Sequence, residues 1–482
     1  MNFNILRDNK FSKSEVLLYI LTIIFLLLLA FENFYRYPII QQLALADNFE
    51  KYNQLYPNLS SENPGFTSDY FPGIAFFIYF LKIFISDNFI IEAILISPVA
   101  FIIFFFYLNK KIISEIYPNN IDFKNYWLIC IIFTFWTTRM WLWYALELKS
   151  DFISFSLVFL AFLISKPYKT DFKKNYFKLI ISIILIAYAL IIKQQAIFLI
   201  LGILLYSLFN KNYFFKFFSL ITLLVAAFTY YIFYQNENLW FFTVSAHTDD
   251  SFFTINELVR AHYKEIILIA QFIIFILFSS FHNLCEINFR SKLDYLISNL
   301  KSNIWFYLIF SFSITGIISS IKNGGNTGNS GLALILLFPF IYIFIYNFKK
   351  SVLIFVACAV LIFEIPNVIH SVNMYVSAKK FQSHVKKIGD DKNKLILTDQ
   401  STYFGSRLMR KNNSLTSLNT MITLNGHLLI LKESYNIDIF NNEVSKKNYD
   451  YIISLNFSEK QINKKYYIKL FRNRMGYIYK KL

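Results

Sequence analysis

The chain has 482 residues, 56% of them hydrophobic and only 16% charged, against about 25% charged in an ordinary soluble domain. Its formal net charge is +17. The lysines sit mostly in short loops between apolar runs, and no aromatic-and-basic signature accompanies them, so composition excludes both a soluble globular protein and a nucleic-acid binder. In chain order, residues 1-14 are read as a cytoplasmic N-terminus. The first apolar run, Val16 to Phe34, is too long and too bulky at its end for a cleaved leader, and no small-x-small site follows it; it is read as a retained span.

A membrane-spanning helix needs about 20 apolar residues. Runs near 15–34, 89–108, 122–138, 151–165, 176–192, 196–209, 213–234, 264–281, 304–321, 331–346 and 351–368 predict about 11 transmembrane helices within a domain spanning 15-370. Pro72–Ile85 is shorter, 14 residues, a length more typical of interfacial segments. Charge arbitrates its status. If it does not cross, loops on the N-terminal side hold most of the basic residues, including Lys110, Lys111, Lys173, Lys174, Lys349 and Lys350. The other side then holds only Arg36, Lys51, Lys82, Arg139, Lys149, Lys193, Arg260 and Lys322. If it did cross, every later loop would invert and the bias would reverse. The positive-inside rule therefore predicts an interfacial helix at Pro72–Ile85 and an extracytoplasmic C-terminal end.

From about Lys379 the charge becomes ordinary. Leu395–Thr398, Tyr449–Leu455, Tyr466–Phe471 and Gly476–Leu482 are short runs rich in Ile and Tyr and read as strands, with the stretch around Ser414–Lys432 expected to be partly helical. The predicted fold is an all-α polytopic membrane protein with a small C-terminal extracytoplasmic α/β domain over 379-482. The three cysteines, Cys130, Cys285 and Cys358, are scattered and form neither a disulfide framework nor a CxxC metal site.

The long loops fall on the outer side, and ionisable residues gather at the outer ends of spans: Glu32, Glu92, Glu147, Lys149, Asp151 and Lys193. Each alone is equally read as a headgroup anchor, but their convergence at one depth points to a shared polar site. In the loop before the eighth span lie His247, Asp249, Asp250, Arg260 and His262; a later loop, KNGGNTGNS, opens with Lys322. His247 with Asp249 lacks the spacing of a defined metal motif.

The order of these features resembles the GT-C superfamily of membrane glycosyltransferases, which take sugars from polyprenyl-phosphate carriers. The run AFENFYRYPIIQQLALADN, then LYPN, then FTSDYFPGIAFFIYFL matches an acidic residue after the first span followed by a loop with interfacial helices. WYALELKSDFISFSL matches a second acidic cluster, LIIKQQAIFLI a lysine-glutamine segment, and KNGGNTGNSGLALILLFPF a loop before a late span. The resemblance covers about residues 15–350. The chain departs from it in offering Glu32, with Asp47 and Asp69 further on, where Asp or an Asp-Glu pair is common. It also has Ser68-Asp69 where some members carry lysine.

The resemblance implies a membrane glycosyltransferase moving a sugar from a polyprenyl-phosphate-linked donor to a lipid or glycan acceptor of the cell envelope, at the outer face of the bilayer. A polysaccharide polymerase and a lipid-linked oligosaccharide flippase stand as alternatives. A flippase fits less well, because transporters carry inverted repeats and mid-membrane charges. For the transfer, a carboxylate must accept the proton of the acceptor hydroxyl, and cations must offset charge on the departing phosphate. Glu32 takes the place of the family's catalytic acid. Glu147 and Asp151, four apart, share a face if helical and could hold an acceptor or a divalent metal ion through oxygen ligands; Asp151 also reads as a helix N-cap. Lys193 and Arg260 lead as phosphate ligands, followed by His262 and Lys322. Lys193 also reads as a snorkelling helix-end lysine.

Overall fold

The computed structural model describes residues 12–31, 38–55, 72–117, 123–136, 143–146, 150–165, 176–209, 213–236, 239–240, 303–321, 335–389, 394–398, 415–417, 449–454 and 466–482, with a few single positions between 254 and 274. The described helices are α1 (Lys13–Ala30), α2 (Pro38–Tyr52), α3 (Gly73–Lys82), α4 (Asp87–Ile116), α5 (Tyr126–Trp136), α6 (Trp143–Leu146), α7 (Ser150–Ser165), α8 (Tyr176–Ile192), α9 (Phe198–Phe209), α10 (Tyr213–Tyr234), α11 (Ile304–Ile321), α12 (Phe338–Ile345) and α13 (Lys350–Gly389). Each predicted span meets one of these helices except 264–281, which lies outside the described residues apart from isolated positions. Among the described residues, stretches of α1, α4 and α13 are long and apolar enough to cross a membrane by themselves. Seven shorter apolar helices accompany them. Their outer surfaces carry large apolar side chains such as Phe177, Leu208, Phe228 and Phe363, left exposed where lipid would cover them. The protein is integral to a membrane.

Contacts between helix ends sort the bundle into two faces. At the first, the Ser12 hydroxyl and the Glu15 carboxylate form a reciprocal capping box at the start of α1, and Lys350 at the start of α13 reaches Glu15 at 2.6 Å. The Asn125 amide before α5 donates to the Phe348 carbonyl at 3.2 Å, and Tyr126 donates to the Phe106 carbonyl in the second half of α4 at 2.5 Å. So α1 and α13 start together, and both run towards the second face. There the Phe31 ring, at the end of α1, stacks on Tyr375 with centroids 4.8 Å apart.

Helix α13 is longer than the span at 351–368. Its 40 residues cover about 60 Å at 1.5 Å per residue, and it runs without interruption past Lys379. The reason lies in a stripe at helical spacing, Val368, Ser371, Met374, Ala378, Phe381, Val385 and Ile388, all buried. Lys379, Lys380, Lys386 and Lys387 take the exposed side. The lysines end the apolar run without ending the amphipathic pattern.

The tail of α13 carries a five-stranded sheet of β1 (Ile396–Thr398), β2 (Leu415–Ser417), β3 (Tyr451–Ser454), β4 (Tyr467–Asn473) and β5 (Gly476–Lys481), in the order β2-β1-β3-β5-β4. β1 pairs in parallel with β2 and β3, and β5 runs antiparallel to β3 and β4. One sheet face buries Ile396, Ile453 and Ile478 with Phe381, Val385 and Ile388 of α13. The other buries Leu397, Ile452, Tyr467 and Tyr479. β2 lies at the start of the stretch 414–432; the remainder of that stretch, expected to be partly helical, lies outside the described residues.

Candidate functional site

The second face is built around the ends of α7 and α8, and their pairing fixes which residues meet there. Ser154 of α7 donates to the Ala189 carbonyl of α8 at 3.0 Å, and Ser182 of α8 donates to the Ala161 carbonyl at 2.8 Å. The helices are therefore antiparallel, and the first turn of α7 lies beside the last turn of α8. Asp151 occupies that first turn and Lys193 follows that last turn. The Lys193 ammonium stands 3.5 Å from the Asp151 carboxylate, with side chains 22% and 7% exposed.

Lys193 is the one extended residue between two helices, with φ −154° and ψ 128°. Its N–H still closes α8 on the Ala189 carbonyl at 3.0 Å, while its own carbonyl accepts from Ala196 at 3.1 Å. A short 3-10 turn, Gln194–Ile197, then leads into α9. Such a break turns the chain back into the bundle and leaves the lysine at the rim, held by backbone on both sides.

Helices α2 and α3 lie against this rim. Gln42 of α2 accepts from the Ala75 N–H of α3 at 3.1 Å, and Asp47 accepts from Lys82 at 2.7 Å; the two helices are parallel and in register. At ten residues, α3 is about 15 Å long, half of a hydrocarbon core of about 30 Å. Its Ile74, Ala75 and Ile78 face inward, while Phe76, Phe77 and Phe80 are exposed, the division expected of a helix lying in an interface. Its start is pinned to α8. A Cβ at Gly73 would meet the Ile192 side chain at 2.7 Å and the Ile192 nitrogen at 2.9 Å, so only glycine allows this approach. Tyr188 donates to the Gly73 carbonyl at 2.8 Å.

Lys82 joins α2 and α3 at the far end of the pair. Its side chain is 6% exposed; it contacts Asp47, 5% exposed, and also Glu50, 59% exposed. Asp47 is thus engaged with a buried cation, and its reading as an alternative to Glu32 gains nothing from the geometry. Neither Lys82 nor Glu50 stood out as a site residue in the sequence, because each looks like an ordinary charge in a loop region. Glu364 was equally hidden: it lies inside a predicted span, is 6% exposed, and accepts from the Asn367 amide at 2.8 Å. A carboxylate within the apolar stretch of α13 is the signal that could have singled it out.

Of the candidate residues, Asp151 and Lys193 are brought together. Glu32, Glu147, Arg260, His262 and Lys322 lie outside the described residues, as do Lys149, Asp69, His247, Asp249 and Asp250. Glu92 falls within the first turns of α4. No group of three or more His, Cys, Asp or Glu side chains that could hold a metal ion occurs among the described residues. Asp151 faces the Lys193 ammonium through one carboxylate oxygen, and Glu147, its expected companion as a divalent-ion ligand, lies outside the described residues. With its opposite charges a few ångströms apart at the mouth of an apolar bundle, the arrangement suits a ligand that is part anion and part lipid.

No family model matches the chain, and no curated protein matches it. Among solved structures, the crystal structure of ArnT from Cupriavidus metallidurans bound to undecaprenyl phosphate aligns with a TM-score of 0.54. It shares 10% identity over 97% of this chain and 98% of that one. The chain therefore shares the overall fold of that structure, a helical membrane bundle carrying a small C-terminal sheet. At this identity the likeness establishes the fold and leaves the chemistry to the residues.

Proposed function

We propose that the protein is a membrane glycosyltransferase that takes a sugar from a polyprenyl-phosphate-linked donor and transfers it to a cell-envelope acceptor. The observation that carries this reading is the Asp151–Lys193 pair at the face roofed by α2, α3 and the C-terminal sheet, in a fold shared end to end with a structure bound to undecaprenyl phosphate. Positive-charge asymmetry makes that face extracytoplasmic and the Glu15–Lys350 face cytoplasmic.

In this reading the lipid tail lies along the bundle and the donor phosphate reaches Lys193. Asp151 holds the ammonium at the rim, where the donor's singly charged phosphodiester shares it; the attraction grows as the sugar–phosphate bond breaks and the polyprenyl phosphate gains a second charge. Arg260, His262 and Lys322 supply further donors from the loops. The acceptor hydroxyl attacks the anomeric carbon and the sugar–phosphate bond breaks. The proton passes to a carboxylate, for which Glu32 is the first choice; Glu147 orients the acceptor. Lys193 offsets the charge left on the departing polyprenyl phosphate.

Incubating the purified protein in nanodiscs with a panel of polyprenyl-phosphate sugars tests the reading. Release of polyprenyl phosphate from one of them, accelerated by envelope lipid or glycan, supports it. Intact donors across the panel, together with no binding of any of them, would overturn it.

A further inference from the structure

The start of α3 holds hydrogen-bond donors that the Asp151–Lys193 pair does not engage. Gln42 is 1% exposed on α2. Its side-chain oxygen takes the Ala75 N–H at 3.1 Å, which fixes the carboxamide against the first turn of α3. The nitrogen of the same carboxamide is buried and makes no hydrogen bond. A buried amide donor left in this way is costly, and natural proteins rarely leave one without a purpose. Beside it are the first N–H groups of α3. Those of Gly73 and Ile74 precede the first intrahelical bond, and neither donates to a described residue. A helix start and an unmet amide donor converging on one spot form a small cradle for an anion.

The cradle is next to the proposed donor site. Gly73 abuts Ile192, and Lys193 is the next residue. The negative charges of α2, Asp47 and Glu50, lie at the other end of the α2–α3 pair, where Lys82 engages both.

We propose that the first turn of α3 and the Gln42 carboxamide form a second phosphate-ester subsite, which shares the ligand's phosphate with Lys193. This rests on the donor reading above, and the ligand could be either the polyprenyl-phosphate donor or the headgroup of a bulk phospholipid. The amides would then hold the oxygens that Lys193, a point charge, cannot orient.

The decisive variant is Gln42→Glu. It keeps an oxygen to cap Ala75 but replaces the NH2 donor with a second oxygen and adds negative charge. Affinity for farnesyl phosphate, measured on the folded protein in nanodiscs of neutral lipid, is expected to fall about tenfold or more, as for loss of a hydrogen bond to a charged group, with farnesol binding unchanged; thermal stability falls as well, because the new carboxylate is buried. Gln42→Met removes the donor without adding charge, and also the acceptor of the Ala75 N–H; it should give a smaller affinity loss in the same direction, with farnesol binding unchanged. Unchanged farnesyl phosphate affinity in both variants, alongside a loss in Lys193→Ala, would refute the subsite and leave the donor reading standing. Stabilisation of the wild type by phosphatidylglycerol nanodiscs that disappears in Gln42→Glu, with no farnesyl phosphate binding, would keep the subsite as a phospholipid site and overturn the donor reading. Binding of neither ligand by the wild type would refute both.

Discussion

Replacing Lys82 with methionine should loosen the α2–α3 roof of the site. Methionine fills much of the lysine stem's volume but leaves the Asp47 carboxylate, 5% exposed, without its ammonium. Removing one partner of a buried ion pair costs about 3–5 kcal/mol. The Glu50 contact adds little, because Glu50 is 59% exposed and exposed pairs contribute about 0–1 kcal/mol. The double variant Lys82→Met with Asp47→Leu removes both charges and should recover to within about 1 kcal/mol of the wild type, since apolar replacement of a buried pair is often neutral. Unfolding in mixed micelles for the wild type, both single variants and the double variant closes the cycle. Strictly additive single losses, or a Lys82→Met variant as stable as the wild type, would refute the claim that this pair holds α3 in place.

Glu32→Gln should retain donor binding while turnover falls by about 10²–10⁴-fold, the usual contribution of a general base; full turnover would move the role to another carboxylate, Glu147 first. Lys193→Ala should weaken binding of a polyprenyl-phosphate sugar in nanodiscs, with Lys447→Ala as an unaffected control, and equal affinities would place the phosphate elsewhere. In the C-terminal sheet, burial, with the Asp450 carboxylate adding to it, pushes the Tyr467 phenol up to about 12 against the opposing hydrogen bond to Tyr449. A raised folded-state value means its contribution is complete below about pH 10, the ordinary tyrosine value, and is lost as pH rises towards 12. Thermal unfolding from pH 9 to 12 should therefore show a steeper alkaline loss in the wild type than in Tyr467→Phe.

Much of this architecture is legible in the sequence because a bilayer imposes a coarse rule. About 20 apolar residues make a span, and the 14-residue run at Pro72–Ile85 fell short, as α3 does. The Ile- and Tyr-rich runs of the tail became β1, β3, β4 and β5 because short β-branched and aromatic runs favour strands locally. What stayed hidden depends on distant contacts. Lys82 meets Asp47 and Glu50 across separations of 35 and 32 residues, and nothing near Lys82 distinguishes it from a solvated loop lysine. Asp151 and Lys193 each stood out as charges at span ends, but their meeting follows from the antiparallel packing of α7 and α8. The continuation of α13 was masked by its own lysines, which lower hydropathy while leaving the buried stripe intact. Gln42 carries no charge and lies in an amphipathic helix, so only its place against α3 singles it out.

A structure of the protein with polyprenyl phosphate bound decides between the two faces. The phosphate is expected within hydrogen-bond reach of the Lys193 ammonium, on the face that carries α2, α3 and the C-terminal sheet. A phosphate bound at the opposite face, beside Glu15 and Lys350, would contradict it.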